Sequence, residues 1–282
     1  MILVTGATGH LGKLTIDFLL KKQSADTIAA LVRDTTKAKD LSVQLRKGDY
    51  FDYPAMVEAF KGVDTLVLVS SGSLEDRTTQ HKNAINAAKE SGVKHIIYTS
   101  MLRTSLTSKF TPGIDHFHTE AFLKSSGIPY TVLRNTFYTD VITLLAGDAL
   151  TSGNWYFAGG TAKASFASRK EMAEALANVA ADPSAHKNKI YEISSGKTYS
   201  LPEIAGIISK ITGKTLNYTP ITLDDQTVAL KQAGLPEHVI GLLNSIAETI
   251  STGELDFSDP ALENLLHRKP LDLEPALREI LK

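Results

Sequence analysis

Three glycines, each three residues from the next, lie close to the start of the chain, within the segment Gly6-Ala7-Thr8-Gly9-His10-Leu11-Gly12. The run Ile2 to Thr5 that precedes them is typical of a β-strand, and the residues that follow have helical spacing. Glycines in such a turn let backbone N–H groups approach a pyrophosphate at the positive end of the helix. This context predicts a dinucleotide-binding loop rather than a plain turn, with all of these residues as candidate contacts.

An arginine follows the second predicted strand, Ile28 to Val32. Arg33 lies about 20 residues past Gly12, where a protein that binds NAD usually carries an acid for the ribose. The guanidinium fork matches the oxygens of a phosphate, whereas an acid would repel them. The sequence therefore predicts NADP(H) in preference to NAD(H). The alternative is a solvated arginine paired with Asp34, which could itself hold a ribose.

Polar residues also follow a strand expected before Gly48, and they lie at the ends of the next two predicted strands, Thr65 to Val69 and His95 to Thr99. An aspartate with an aromatic neighbour can bracket an adenine, and hydroxyl groups can bond the ribose and the nicotinamide side. The carboxyl ends of parallel strands meet along one edge, so these residues outline one crevice. Taken singly, each is more often a turn residue that satisfies its own backbone. The candidates are Asp49, Tyr50, Ser70, Ser71, Gly72, Thr99 and Ser100.

Short aliphatic runs alternate with helical stretches through the first half of the chain, which predicts an α/β protein with a doubly wound parallel Rossmann sheet. The first helix is expected to bury a stripe of Leu11, Leu14, Phe18 and Leu19. The predicted strands are Ile2 to Thr5, Ile28 to Val32, Thr65 to Val69, His95 to Thr99 and Tyr130 to Leu133.

The alternation ends after Arg134, and mainly helical sequence follows. We therefore predict an NAD(P)-binding Rossmann domain over residues 1–150 and a smaller, mainly helical C-terminal substrate-binding part over residues 151–282. Segments between about 163 and 195 are expected to return to the Rossmann sheet, because they include two short strand-like runs and a helix.

Composition excludes several classes of protein. Thirty lysines and arginines nearly balance 31 acidic residues, so no nucleic-acid or membrane partner is expected. The chain has no cysteine, which excludes disulfides and thiolate chemistry. No metal site is expected either, because His116 and His118 would face different sides of a helix. Without a leader or an apolar run of about 20 residues, the sequence predicts a soluble cytoplasmic protein, with a homodimer as the base-rate expectation.

These motifs, together with His116-x-x-x-Glu120 and the run from Tyr130 to Tyr138, resemble the NmrA-like atypical short-chain dehydrogenases over nearly the whole chain. Within that family the likeness is greatest to the bacterial reductases of quinones and triphenylmethane dyes. The resemblance implies that Arg33 takes the phosphate of NADP. It also implies a segment beside the nicotinamide, made of Asn135, Thr136, Phe137 and Tyr138.

The sequence departs from ordinary short-chain dehydrogenases at their Tyr-x-x-x-Lys motif. Aligned on Glu120, the lysine position holds His116 and the tyrosine position holds Pro112. Reduction of an ordinary ketone is disfavoured, because it needs that proton in the transition state. A quinone-like or cationic dye-like acceptor can take hydride first and a solvent proton afterwards. His116 remains a candidate to bond the acceptor oxygen or the nicotinamide ribose, and a surface or loop-holding histidine is the alternative.

Aromatic residues could line a pocket for a flat acceptor, and the candidates are Phe110, Phe137, Tyr138, Trp155 and Phe157. Tyr138 is the best of them for stacking. Trp155 and Phe157 alternate with Tyr156, which favours an ordinary core role for the first two. The expected activity is hydride transfer from NADPH to a small aromatic or quinone-like acceptor. The rival hypothesis is an NAD(P)-sensing regulator without turnover, and a nucleotide-sugar epimerase is a weaker third.

Overall fold

The computed structural model describes residues 1–73 and 76–281, and they form two compact units. The first unit contains Met1–Thr104, Asp115–Asn135 and Lys170–Glu192, and the second contains Ser105–Ile114, Thr136–Arg169 and Ile193–Lys282. Each unit is therefore assembled from separate stretches of chain. The expectation of a single boundary at residue 150 differs from this division, because α-helical and strand segments on both sides of that residue belong to each unit.

The strands of the described residues are, in chain order, β1 Ile2–Val4, β2 Ile28–Val32, β3 Gln44–Lys47, β4 Thr65–Leu68, β5 His95–Met101, β6 Tyr130–Asn135, β7 Phe137–Tyr138, β8 Asn154–Phe157, β9 Lys163–Ala167, β10 Lys189–Ile193, β11 Thr198–Ser200 and β12 Asn217–Pro220. The helices are α1 His10–Leu19, α2 Tyr53–Ala59, α3 Arg77–Glu90, α4 Thr111–Ser125, α5 Thr139–Ala146, α6 Ala149–Ser152, α7 Arg169–Ala181, α8 Leu201–Thr212, α9 Leu223–Gln232, α10 Glu237–Ser251, α11 Ala261–Leu266 and α12 Leu273–Ile280.

A seven-stranded sheet organises the first unit, in the order β10-β6-β5-β4-β1-β2-β3. The six strands β1 to β6 pair in parallel with their neighbours. The strand order reverses around β1, which lies between β2 and β4, and ligands of such sheets bind outside the carboxyl ends at that reversal. The predicted doubly wound Rossmann sheet is confirmed.

Apolar strands form the core of this unit, because every residue of β1, β2, β4 and β5 is buried. Continuous burial is typical of parallel strands that are covered on both faces. Helices α2 and α3 contribute Met56 and Ile85 to the same cluster. In α1 the predicted stripe is partly wrong, since Leu14 and Phe18 are only half-buried. Thr15 and Ile16 are buried in their place, because the helix is rotated by about one residue from the predicted orientation.

The second unit contains most of the remaining helices and two small sheets, β11-β9-β7 and β12-β8. Of the segment expected to return to the large sheet, β10 does so, whereas β9 pairs with β7 and β11 in the second unit. Strand β8 has the predicted alternation, with Trp155 and Phe157 buried and Tyr156 exposed. Among the described residues, no helix has both the length and the apolar character that a membrane crossing requires.

We predict that Gly12→Ala destabilises the protein. A Cβ at this position would lie 2.7 Å from the carbonyl carbon of Gly6, and backbone atoms cannot swing aside as a side chain does. The free energy of unfolding should fall by roughly 1 to 3 kcal/mol in a denaturant titration. The matched control is Gly206→Ala in the exposed part of α8, where an added Cβ meets nothing within 4 Å. That control should gain about 0.5 to 1 kcal/mol, and equal stability of the two variants would contradict the packing argument.

Candidate functional site

The glycine turn joins β1 to α1 in the first unit. Gly6 adopts a left-handed backbone with φ +59°, and the Gly9 amide donates to the Gly6 carbonyl over 2.9 Å. Gly9 is the N-cap residue of α1, and no side chain caps this helix. The first N–H groups of a helix have no carbonyl partner within it, and they carry the positive end of its dipole. The exposed loop from Thr8 to His10 thus meets the requirements of a phosphate cradle.

Tyr50 holds the ends of β1 and β4 together. Its hydroxyl lies 2.7 Å from both Thr5 Oγ1 and the Val69 carbonyl oxygen. The Val69 amide in turn donates to Thr5 Oγ1 over 2.9 Å. Burial raises the pKa of Tyr50 well above its ordinary value, so the hydroxyl keeps its proton. With the hydroxyl used inside the protein, only the ring of Tyr50 is left for the predicted adenine contact.

Arg33 extends from the end of β2 with 82% of its side chain exposed. Its nearest acid is Asp49, at 4.0 Å, and an ion pair this exposed contributes little to stability. Asp34 does not take part, because its Oδ1 accepts hydrogen bonds from the Thr36 amide and hydroxyl, which lower the pKa of Asp34. The alternative, an ion pair between Arg33 and Asp34, is therefore wrong.

Lys47 is a second cation at this corner, and the sequence analysis missed it. It lies directly opposite Val32 in the register of β2 and β3, at the same end of the two strands as Arg33. Its charge helps to lower the pKa of Asp34. No local pattern marks this lysine. Only the register between the two strands could have revealed it.

The hydroxyl groups predicted at the ends of β4 and β5 lie together. Thr99 Oγ1 accepts a hydrogen bond from the Ser70 amide at 2.9 Å, which ties the two strand ends. The Ser71 amide donates to His81 Nε2 at 2.9 Å. Ser100 is buried and donates to Glu120 Oε1 over 2.7 Å. Because the single hydroxyl proton of Ser100 is donated to Glu120, this hydroxyl can only accept a hydrogen bond from a ligand.

Glu120 is a buried carboxylate that is neutralised by Arg134. Nε and Nη2 of Arg134 reach the two carboxylate oxygens at 2.8 and 2.7 Å, and Nη1 reaches Glu192 at 2.6 Å. The hydrogen bonds to Glu120 raise the pKa of Arg134 further, so the guanidinium stays charged. This cluster connects α4, β6 and β10. The Glu120 carboxylate is thus held as a structural anion.

His116 is buried in α4, 2.6 Å from the Tyr98 hydroxyl through its Nδ1 atom. Burial, aided by the positive charge of Arg77, lowers the pKa of His116 well below its ordinary value. The same two causes lower the pKa of the neighbouring His81 to about 3. The surface-histidine alternative for His116 is therefore wrong, whereas His118 is exposed. Across residues 1–73 and 76–281, no group of three or more His, Asp or Glu side chains is placed to hold a metal ion.

The segment from Asn135 to Tyr138 begins with the last residue of β6, whose side chain is buried. Asn135 Oδ1 in the first unit has no hydrogen-bond partner among the described residues, although the side chain is buried. In the second unit, Thr136 Oγ1 donates to the Ser165 carbonyl oxygen at 2.7 Å. Phe137 packs edge-on against Phe110, with ring centroids 5.2 Å apart. Asn135 is therefore the side chain of this segment with spare capacity for an amide donor.

Tyr138 lies under a guanidinium group within the second unit. Arg169 is 4.1 Å from the centroid of the Tyr138 ring, and it also donates to Asp140 at 2.5 Å. Both Arg169 and Asp140 were missed by the sequence analysis. They meet because β7 pairs with β9, which brings Tyr138 opposite Ala167, two residues before Arg169. The guanidinium over the ring is a cation–π contact that fixes the position of the Tyr138 ring.

Three features of the first unit fit a nicotinamide dinucleotide phosphate. The uncapped helix end suits a pyrophosphate, the exposed Arg33 suits a phosphate ester, and the unpaired Asn135 Oδ1 suits a carboxamide N–H. Each feature leaves a polar group of the protein available that a bound dinucleotide would satisfy.

Comparison with known proteins gives one family. The family model described as the NmrA-like family matches residues 1–276. Quinone oxidoreductase 2 of Escherichia coli (strain K12) is 38% identical over 269 residues, which cover 94% of this chain and 93% of that protein. The resemblance inferred from the motifs is thereby confirmed.

Two solved structures resemble this one closely. An NADPH-dependent quinone oxidoreductase of Escherichia coli, complexed with NADPH, has a TM-score of 0.95 and 35% identity over 100% of both chains. The triphenylmethane reductase of Citrobacter sp., complexed with NADP(H), has a TM-score of 0.92 and 33% identity over 99% of both chains.

We predict that acid destabilises the protein already below pH 6.5, before its carboxylates titrate. Burial lowers the pKa of His81 to about 3 and that of His95 to about 4, whereas the unfolded chain protonates both near 6.5. Between these limits the unfolded state binds protons that the folded state excludes. The free energy of unfolding should therefore fall with pH, by about 1.4 kcal/mol per pH unit for each such histidine.

Urea titrations at pH 7.5, 6.0 and 5.0 measure this slope. The variant His95→Gln should reduce this slope by about 1.4 kcal/mol per pH unit, which corresponds to one proton, because one buried imidazole is removed. His118→Gln, at an exposed position of α4, is the matched control and should leave the slope unchanged. A free energy of unfolding that stays constant from pH 6.5 to 5.0 would show that the buried histidines do not control acid stability.

Proposed function

The chain belongs to the NmrA-like family, and from that membership we propose that it is an NADPH-dependent oxidoreductase that transfers hydride to a quinone-like or cationic dye-like acceptor. The observation that carries the proposal is the uncapped glycine turn of β1 and α1, with Arg33 exposed at the next strand end. Two relatives support the proposal, because one is a quinone oxidoreductase and the other a triphenylmethane reductase. The first was solved in complex with NADPH and the second in complex with NADP(H).

In this proposal, different residues of the first unit bind different parts of the dinucleotide. Backbone N–H groups of the turn from Gly6 to Gly12 bind the pyrophosphate, and Arg33 binds the 2′-phosphate. Lys47 adds a second positive charge at that end. Asp49 and the Tyr50 ring bracket the adenine, and Asn135 Oδ1 accepts from the carboxamide. When bound, NADPH supplies a hydride.

The acceptor class follows from what the chain lacks. Pro112 stands where ordinary short-chain dehydrogenases carry the tyrosine that donates a proton. His116 cannot replace it as a charged acid, because its pKa lies well below the ordinary value and it is neutral near pH 7. An acceptor that needs a proton from the protein during hydride transfer is therefore a poor substrate. A quinone that accepts a hydride becomes the hydroquinone anion. A proton from solvent then converts this anion to the hydroquinone.

Aromatic residues of the second unit are proposed to contact the acceptor. Tyr138 offers an aromatic ring beside the Arg169 guanidinium, and Phe110 lies against Phe137 in the same unit. Trp155 and Phe157 are excluded from this role, since both are buried core residues. The acceptor site would then lie in the second unit, with Tyr138 and Phe110 both coming from segments before residue 150.

A turnover screen tests the proposed function directly. The purified protein is mixed with benzoquinones, naphthoquinones and triphenylmethane dyes, each with NADPH and with NADH, and the loss of reduced-nicotinamide absorbance is followed. Catalytic loss with NADPH supports the enzyme. Tight binding of NADPH without turnover of any acceptor would contradict it and favour a nucleotide-sensing regulator.

We predict that Arg33→Ala weakens binding of NADPH far more than binding of NADH. Loss of a charge-assisted hydrogen bond to phosphate costs about 1.5 to 3 kcal/mol, which corresponds to roughly 10- to 150-fold in Kd. Fluorescence titration of both nucleotides measures the difference. Lys22→Ala, which removes an exposed cation just after α1, is the control and should leave both affinities unchanged. Equal losses for NADPH and NADH in Arg33→Ala would remove its assignment to the 2′-phosphate.

We predict that Tyr138→Ala mainly raises KM for the acceptor. A ring that stacks on a flat substrate contributes binding in both the ground state and the transition state, so its loss leaves kcat nearly unchanged. The loss of such a contact is about 1 kcal/mol or more, which raises KM at least about fivefold. Tyr138→Phe keeps the ring and should retain a KM close to that of the parent. A KM that is unaltered in Tyr138→Ala would place the acceptor elsewhere.

A further inference from the structure

A row of buried polar groups runs from the turn after β4 to helix α4 in the first unit. Its members are the Ser71 amide, His81, Tyr98 and His116, and Thr119 lies beside them. The proposed function gives none of these groups a role in binding, and it mentions His116 only as a group that cannot act as a charged acid. The hydrogen-bonding capacity of each group fixes the direction in which protons point along the row.

The direction is set at the Ser71 amide, because a backbone N–H can only donate. It donates to His81 Nε2 over 2.9 Å, so this nitrogen carries no proton. With its pKa lowered to about 3, His81 is neutral near pH 7 and must carry its one ring proton on Nδ1. That N–H faces Thr119 Oγ1 at 2.9 Å. The Thr119 hydroxyl in turn donates a hydrogen bond to the Asp115 carbonyl oxygen at 2.8 Å.

The orientation of the Tyr98 hydroxyl follows from this. Two ring nitrogens lie near its oxygen, His116 Nδ1 at 2.6 Å and His81 Nδ1 at 3.4 Å. The His81 nitrogen already holds a proton and cannot accept another. Thr119 also hydrogen-bonds to the Tyr98 hydroxyl. The separation of 2.6 Å from His116 Nδ1 is shorter than an N–H···O hydrogen bond usually is, which indicates that the Tyr98 hydroxyl donates to this nitrogen. Neutral His116 then carries its proton on Nε2, which is the opposite tautomer from that of His81.

The surrounding groups keep the row in this single arrangement. Buried Arg77 donates to the Ser73 carbonyl oxygen at 3.0 Å, and its charge opposes protonation of both histidines. Burial also raises the pKa of Tyr98 far above the ordinary value, so the tyrosine keeps the proton that it donates. Neither histidine nor the tyrosine changes charge near neutral pH.

We propose that this row fixes His116 as a neutral hydrogen-bond donor through Nε2, and that the donor serves an oxygen of the bound nicotinamide dinucleotide. This rests on the proposed function, since it takes the dinucleotide as the ligand. His81 and Tyr98 are positioning residues, because they act on the ligand only through His116. The row begins at Ser71, at the carboxyl end of β4 where the dinucleotide is expected, so the donor is held to the same turn that holds the ligand.

The first test needs no ligand and no turnover. Nitrogen-15 NMR of the imidazole rings, with signals assigned by His81→Gln and His116→Gln, reports which ring nitrogen of each histidine is protonated. We expect a proton on Nδ1 of His81 and on Nε2 of His116. The reverse tautomer in either ring overturns the proposed row, whatever the outcome of the turnover screen.

Removing one hydroxyl tests the link between Tyr98 and His116. Tyr98→Phe should shift the His116 ring signals and leave His81 in its tautomer. The matched control is Tyr191→Phe, which removes a hydroxyl 2.7 Å from Nδ1 of another histidine, His186. It should leave the His116 signals in place. Unchanged His116 signals in Tyr98→Phe would exclude the tyrosine as its positioning residue.

The second test measures the Kd of NADPH in the absence of any acceptor. His116→Gln offers an amide N–H in place of Nε2–H, so its Kd should stay within about threefold of the parent. His116→Leu lacks a donor, and its Kd should rise roughly tenfold for one lost hydrogen bond. Circular dichroism checks that both variants fold.

The pattern of losses separates this proposal from the proposed function. Parent-like binding of NADPH by folded His116→Leu overturns the donor role toward the dinucleotide, and a rise only in the KM of the acceptor would assign the donor to the acceptor instead. If His116→Leu fails to fold, Tyr98→Phe decides by the same titration, with an expected rise of about threefold. Expected tautomers and affinities without turnover of any quinone or dye would refute the proposed reaction and leave the donor standing.

Discussion

A carboxylate buried at Glu120 is the constraint on which the arrangement of α4 depends. Removing such a charge from water costs several kcal/mol unless it is paired and fully hydrogen-bonded. Arg134 meets that requirement from β6 with two parallel hydrogen bonds, and Ser100 adds a third from β5. Helix α4 is thereby fixed against both strands. Since His116 lies one turn before Glu120 in the same helix, its place opposite Tyr98 follows from this ion pair.

The charges of the first unit fall into two groups with different tasks. Arg33 and Lys47 are exposed at strand ends, where both charges are hydrated. Around His116 the ionisable groups are buried, and burial keeps the histidines and Tyr98 neutral. Histidine and tyrosine side chains that are kept neutral in this way can orient hydrogen bonds, but they do not readily donate a proton to a substrate. That division suits an acceptor that takes hydride without help from an acid on the protein.

Local sequence patterns predicted the parts of the fold that depend on neighbours in the chain. The glycine turn was placed correctly between β1 and α1, and the strands β1, β2, β4, β5 and β6 and the alternation of β8 were found from their spacing. The prediction was wrong in the buried face of α1, because the rotation of a helix is chosen by its packing partners. The boundary at residue 150 differs from the observed division for a similar reason. Segments far apart in the chain, such as β10, return to a sheet whose edge they complete.

The sequence by itself determined the fold class and the family, since both depend on residue types at short, regular spacing. The partners of the chemical groups were decided by tertiary structure. The position of Lys47 opposite Val32, at the strand end that carries Arg33, needs the register of two strands. The position of Arg169 over Tyr138 needs the pairing of β7 with β9. The tautomer inferred for His116 depends on an amide and a hydroxyl from two other elements. Hydrogen bonds and ion pairs act over a few ångströms, and only the folded chain sets those distances.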